Sequence, residues 1–185
     1  MAEKFNFADM TLVVGLGNPG SEFEGTYHNA GWGALDALAA AAPFRSPRGK
    51  RFSFARLPSG VPLVKSRTFM NESGSAVGEA RSYFSARDAS TLLVIHDDSD
   101  LPLGTWKVQF GRGAAGHKGV QSVIARLGTT DFWRIRVGVR SPEPARARRK
   151  AGSFVLSRPT GKKAALLAAA YDAIAALAAT ESRKE

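Results

Sequence analysis

The chain contains no cysteine, only three histidines, and 16 acidic residues against 26 basic ones in 185. The missing cysteine removes disulfides, thiolate zinc ligands, iron–sulfur clusters and thiol nucleophiles. Long apolar runs are scarce as well. The longest, 164–179, is Ala-rich and broken by Asp172, and it reads as too short and too weakly hydrophobic to cross a bilayer. The opening residues, MAEKFNFADM, carry no apolar stretch of the kind a secretory leader needs. These shortages predict a cytoplasmic protein without a membrane anchor. The length predicts a single domain over 1–185 with room for a sizeable core.

What the chain has in excess is positive charge, +10 formally, and the excess is clustered. Residues 45–67 hold seven cations (Arg45, Arg48, Lys50, Arg51, Arg56, Lys65, Arg67) and no acid. Residues 134–150 hold seven more (Arg134, Arg136, Arg140, Arg146, Arg148, Arg149, Lys150) against Glu143. Of the 26 cations 17 are Arg, whose planar fork suits phosphate oxygens. Two such clusters in one small domain point to a polyanion, nucleic acid before others.

Apolar runs at 11–15 and 92–96 read as buried strands, each leading into a polar loop. Residues 51–57 and 61–65 flank Pro58-Ser59-Gly60 and predict a hairpin. Residues 106–110 and 133–139 alternate like half-exposed strands, with Arg134 and Arg136 on one face and Ile135 and Val137 on the other. Helical spacing covers 31–42, 72–86, 118–127 and 160–179, and the Pro-containing basic stretch 140–158 reads as a mobile loop. Strands alternating with helices predict an α/β domain, a twisted, mixed but mostly parallel sheet sandwiched by helices. In such sheets sites form beyond the carboxyl ends of strands, where the polar segments 18–28 and 96–100 fall.

Gly15-Leu-Gly17-Asn-Pro-Gly20 matches G-x-G-x-x-G, but the context argues against a dinucleotide. Pro19 lacks an N–H, Glu22 and Glu24 repel phosphate, and no carboxylate stands at the end of the second strand. His96-Asp97-Asp98-Ser99-Asp100 has the oxygen-rich composition of a Mg²⁺ site, although adjacent carboxylates as readily cap a turn. No G-x-S-x-G elbow offers a serine nucleophile, and Ser73 and Ser75 read as helix caps.

All three histidines, His28, His96 and His117, fall in polar or Gly-rich segments after strands. Imidazole is the natural base near neutral pH, most effective when a carboxylate fixes its tautomer, and Asp97 and Asp98 are well placed to do so. With Asn18, Asn29 and Asn71 as amide donors, the residues suggest a hydrolase that uses water, a His base and an Asp orienter.

At these residues the chain resembles the bacterial peptidyl-tRNA hydrolase family. The resemblance rests on VVGLGNPGSEFEGTYHNAG, TFMNESG, HDDSDLPLG, GRGAAGHKGVQSVIARLG and WRIRVGV, in that order, and spans 12–178. It implies a monomeric α/β enzyme that cleaves the ester between a peptide and the 3′-terminal ribose of tRNA, with neither cofactor nor metal. His28 would be the base, Asp97 its orienter, and Asn18 and Asn71 would hold carbonyl, water or peptide backbone. Phe69 and Met70 would line the pocket, and Phe23 takes a position usually held by Tyr. His117 would frame the 3′ end, and Lys107 and Arg136 match the family's phosphate-binding cations. The resemblance also implies contact with the acceptor end and the 3′ CCA. Three departures stand out: Lys118 for the usual Asn, Gln109 where a phosphate-binding Lys is common, and Tyr27 for the usual Arg. Arg112 is the cation best placed to make up for Gln109. A catalytically silent RNA-binding protein on the same fold is the competing expectation.

Overall fold

The computed structural model describes residues 5–141 and 154–181. Its frame is one six-stranded mixed sheet. In chain order the elements are β1 (Leu12–Gly15), α1 (Ala30–Ala39), β2 (Phe52–Arg56), β3 (Pro62–Ser66), α2 (Ser73–Tyr83), β4 (Leu92–Pro102), β5 (Trp106–Phe110), α3 (Lys118–Leu127), β6 (Trp133–Arg140) and α4 (Lys162–Glu181). The strand order is β2-β3-β1-β4-β6-β5. The four inner strands are parallel, and the hairpin partner β2 and the returning strand β5 add antiparallel edges. Parallel neighbours with helices on both faces account for the near-continuous apolar reading of β1 and the start of β4.

Alternate side chains of the sheet feed two cores. Val13, Leu93, Ile95, Ile135 and Val137 pack with α1 and α4, whereas Leu12, Val14, Val94 and Phe132 pack with α2 and α3. The approach of α1 is very close: a Cβ on Gly31 would collide with the carbonyl of Ile95 and the backbone of Leu16. That contact holds the start of α1 against the end of β1 and the first half of β4.

The structure corrects the sequence reading in four places. First, β4 does not stop at His96 but runs to Pro102 beside β6, so His96, Asp97 and Asp98 are strand residues and buried. Second, β6 is an inner strand, and Arg134 and Arg136 are buried, not half of a solvent-facing row. Third, α4 over Lys162–Thr180 is long and apolar enough, by length and composition, to cross a bilayer. Its inward residues Leu167, Ile174 and Ala178 instead pack in the domain core, and Ala170 is buried with them. Fourth, Ser73 and Ser75 cap no amides; each hydroxyl donates to the carbonyl three residues back, Met70 and Glu72. Of the basic stretch 140–158, Arg140 ends β6 and 142–153 lie outside the described residues.

Candidate active site

The site forms where β1 ends, beside the middle of β4 and the first turns of α1 and α3 on the two faces. After Gly15 the chain turns through Leu16 to Asn18, and Asn29, just before α1, clamps that turn. The Asn18 N–H donates to Asn29 Oδ1 (2.8 Å), and Asn29 Nδ2 donates to the Asn18 carbonyl (3.0 Å). Asn29 is therefore committed to the scaffold rather than available as a substrate donor. Asn18 Oδ1 accepts from the Met70 N–H at 2.7 Å. Its Nδ2 finds no protein acceptor among the described residues and remains a free donor at the site.

His28 lies in the single 3-10 turn Tyr27–Asn29 that leads into α1. The far end of the chain holds this turn from behind. The N–H groups of Tyr27 and His28 donate to the carbonyls of Ser157 (3.1 Å) and Val155 (2.7 Å). Arg158 Nε and Nη2 donate to the carbonyls of Glu24 and Ser21, both at 2.7 Å. Tyr27, where the resemblance implies Arg, is buried and stacks edge-on against Phe154.

His28 Nδ1 meets Asp97 Oδ1 at 2.8 Å, and His117 Nε2 meets the same oxygen at 2.9 Å. The tautomers follow from the remaining bonds. His117 caps α3, its Nδ1 accepting from the N–H groups of Gly119 (3.1 Å) and Val120 (3.2 Å), so the proton sits on Nε2 and points at Asp97. Burial alone would push Asp97 up, but the charge and hydrogen bonds of His117 and His28 outweigh it and hold the carboxyl well below its usual range. An ionised Asp97 only accepts, so His28 donates from Nδ1, and neutral His28 keeps a lone pair on the partly exposed Nε2. This is the geometry of a general base.

The same three side chains offer ligand atoms within 4.8 Å of one another, a set that by type suits a metal ion. Their protonation does not fit one. A metal on His117 Nε2 would require an imidazolate, because Nδ1 must stay deprotonated to cap α3.

His96 adds a third ring, 4.7 Å from His117 between centroids. Its Nδ1 donates to the Asp97 carbonyl (2.7 Å), and its buried Nε2 finds no partner among the described residues. Burial, then the neighbouring His117, pushes its pKa down to about 3, so it is a neutral wall behind the site and not a base.

One support escaped the sequence reading, Arg134, and a second, Arg136, was read there as a phosphate-binding cation but is buried and paired. Arg134, 2% exposed, donates to the carbonyls of Gly113 and Arg112 and so anchors the Gly-rich 111–116 loop that delivers His117. Burial lowers its pKa to about 10. Arg136 pairs with Asp98 (Nε to Oδ2, 2.6 Å) and donates to Gln109 Oε1 (2.8 Å). Gln109 thus serves as a neutral acceptor for a buried arginine. The signal available for both was an arginine on an inner strand, which must find acceptors if it is buried.

The remaining sequence candidates sort by exposure. Phe69 is 54% exposed and meets Phe23 edge-on at 6.3 Å, forming an open aromatic platform. Met70 is buried, and a Cβ on Gly119 would collide with its sulfur, so it wedges between α3 and the Asn18 turn. Asn71 and Lys118 are exposed, the latter as the first residue of α3. Lys107 is exposed on β5 directly across from Arg136, and Arg112 is exposed in the Gly-rich loop.

The family model described as peptidyl-tRNA hydrolase matches residues 12–184. A curated peptidyl-tRNA hydrolase of Akkermansia muciniphila is 46% identical over 137 residues, covering 73% of this chain and 71% of the relative. One of Marinobacter nauticus is 39% identical over 171 residues, covering 90% and 85%. Among solved structures, the Arg119Gln mutant of the Acinetobacter baumannii peptidyl-tRNA hydrolase superposes with a TM-score of 0.80 at 28% identity, over 93% of this chain and 90% of that one. The A. baumannii peptidyl-tRNA hydrolase solved at 1.00 Å gives 0.79 at 25%, over 95% and 91%. The match spans sheet, helices and site alike, and this chain belongs to the peptidyl-tRNA hydrolase family.

Proposed function

We propose that this chain hydrolyses the ester joining a peptide to the 3′-terminal ribose of tRNA, with His28 as the base. The observation that carries the reading is the Nδ1–H of His28 on the oxygen of Asp97, which leaves Nε2 to take a proton from water. The resulting hydroxide attacks the ester carbonyl carbon, and the tetrahedral oxyanion collapses with cleavage of the bond to the ribose 3′ oxygen. The imidazolium returns its proton to that oxygen, giving free tRNA and a peptide carboxylic acid, which ionises to solvent. Asp97 stabilises the imidazolium, and His117 holds Asp97 in place. The free Nδ2 of Asn18 supplies a donor for the carbonyl or its oxyanion.

Asn71, Lys118 and the Phe23–Phe69 platform would contact the terminal part of the substrate, with Met70 beneath. Lys107, with Arg136 behind it and Arg112 in the adjoining loop, would receive phosphate of the acceptor end. In this reading the protein acts as a cytoplasmic monomer and uses no metal.

The test is release of labelled N-acetyl-aminoacyl groups from tRNA in EDTA by wild type and His28→Ala. The expected result is cleavage by wild type and a loss of at least about a hundredfold in the variant. An undiminished rate in His28→Ala removes the base assignment. Salt-sensitive tRNA binding without cleavage by wild type would favour a silent RNA-binding protein instead.

A further inference from the structure

None of the cations in the basic stretch 45–67 pairs with Asp97 among the described residues. Some are already engaged: Lys65 pairs with Asp36, and Arg56 donates to the carbonyl of Gly60. Lys50 and Arg51, just before β2, line a cleft of about 600 Å³ against α2 and α3. A second cleft of about 460 Å³ shares Gly78, Ser82 and Arg126 with the first and extends past the end of α2 to Arg87.

The shape follows from small residues. Gly74 lies so close to α3 that a Cβ would strike the carbonyl of Ser122, and its N–H takes the Ser122 hydroxyl at 3.0 Å. One turn on, a Cβ at Gly78 would collide with Nε of Arg126, so the missing side chain is what lets that guanidinium lie across α2. Glu79 is the one acid lining either cleft, and it is occupied by the Arg51 N–H (2.7 Å) and by Lys50 Nζ (3.7 Å). Tyr83, 49% exposed, presents an aromatic ring in the same wall. The near end of the groove, at Gly74 and Ser122, lies one helical turn beyond Met70 on one wall and His117 on the other.

We infer that this groove between α2 and α3 binds the sugar–phosphate backbone of RNA. The strand is that of the tRNA substrate leaving the catalytic centre, so the inference rests on the proposed function. A row of cations matches a linear polyanion better than a single phosphate. An exposed tyrosine beside arginines is the pairing that stacks a base while its backbone is neutralised. The groove lies on the face covered by α2 and α3, whereas Lys107 lies on the edge strand β5, so the two contact the substrate at different places.

The test compares wild type with Arg51→Ala/Arg87→Ala/Arg126→Ala and with a charge-matched control, Arg45→Ala/Arg48→Ala/Lys162→Ala. Each protein is titrated with deacylated tRNA by fluorescence anisotropy across a salt series. Each is also assayed on N-acetyl-aminoacyl-tRNA and on the same ester carried by a CCA trinucleotide. The groove variant is expected to weaken tRNA binding at least about tenfold and to flatten the log–log salt dependence by about 2 to 3, one unit or slightly less per lost phosphate contact. Its KM on full-length substrate should rise by a similar factor, with cleavage of the trinucleotide ester within about twofold of wild type. Binding losses equal in groove variant and control would overturn the groove and leave only the net charge. Equal losses on both esters would overturn it as well. Failure of wild type to cleave either ester refutes the proposed hydrolysis alone, because anisotropy still decides whether the groove holds RNA.

Discussion

His117 and His28 share one oxygen of Asp97, and His117 reaches it from the capping position of α3. One imidazole therefore does two separable jobs, donating to the carboxylate through Nε2 and capping the helix through Nδ1. His117→Ala loses both. Asparagine can cap a helix, but with Oδ1 in the place of the ring Nδ1 its Nδ2 stands where Cδ2 was and falls short of Asp97. We expect His117→Asn to recover about 1 kcal/mol of the stability lost in His117→Ala. The turnover of both variants should stay about tenfold or more below wild type. Urea melts and kcat on N-acetyl-aminoacyl-tRNA separate the two roles, and turnover that recovered together with stability would show that only the cap mattered.

His96 makes stability fall in mild acid. Its ordinary value is 6.5, and in the fold burial pushes it down to about 3. Between these values the unfolded chain binds a proton that the native state refuses, so stability present at pH 7 is lost as pH falls through 6.5 toward 3. Asp97, also held low, adds its own loss only below the ordinary carboxylate range. One proton corresponds to a slope of about 1.4 kcal/mol per pH unit. Unfolding free energies at pH 4 to 6 should show at least that slope in wild type, and His96→Asn should reduce it by about one proton. An unchanged slope would mean that the ring accepts its proton inside the fold.

Arg134 should act on the chemistry without touching substrate. It grips the carbonyls of Arg112 and Gly113, in the loop that ends at His117, and a lysine cannot span both. Arg134→Lys is expected to cost about 2 kcal/mol of stability, the scale of a lost charge-assisted hydrogen bond. It should also lower kcat about tenfold through a misplaced His117. Hydrogen exchange gives the specific readout: amides of 111–120 should exchange faster in the variant, while those of β2 and β3 stay as in wild type.

The sequence was most legible where the signal is local. The helix Lys118–Leu127 stands where its periodicity placed it, because the capping His117 and the left-handed Gly128 mark its ends. The hairpin of β2 and β3 announced itself through Pro58-Ser59-Gly60. Legibility failed where partners come from afar. The run His96-Asp97-Asp98 reads as a turn because three polar residues ordinarily end a strand. Here they stay in β4 because their partners are His117, His28 and Arg136, distant in the chain. The alternation in β6 likewise suggested one wet face, since nothing nearby in sequence reveals that Asp98, Gln109 and two loop carbonyls meet both arginines. Four of the residues proposed for chemistry, Asn18, His28, Asp97 and His117, were visible by type. Their shared oxygen and fixed tautomers were not.

Lys118 stands where the resemblance implies an Asn. It is exposed and opens α3, one residue after His117, where the helix dipole disfavours a cation. Replacing it with Asn should therefore stabilise the protein by about 0.3–1 kcal/mol. A position that gives up stability to hold a charge beside His117 is expected to use that charge on the substrate. Lys118→Asn and Lys118→Ala should raise KM for N-acetyl-aminoacyl-tRNA about threefold or more, with the larger effect at low salt, where an ammonium–phosphate contact is least screened. An asparagine that also matches or exceeds the wild-type kcat would show that an amide at this position works on the ester directly. Unchanged KM and kcat in both variants, together with the gain in stability, would reduce Lys118 to a solvated first residue of α3.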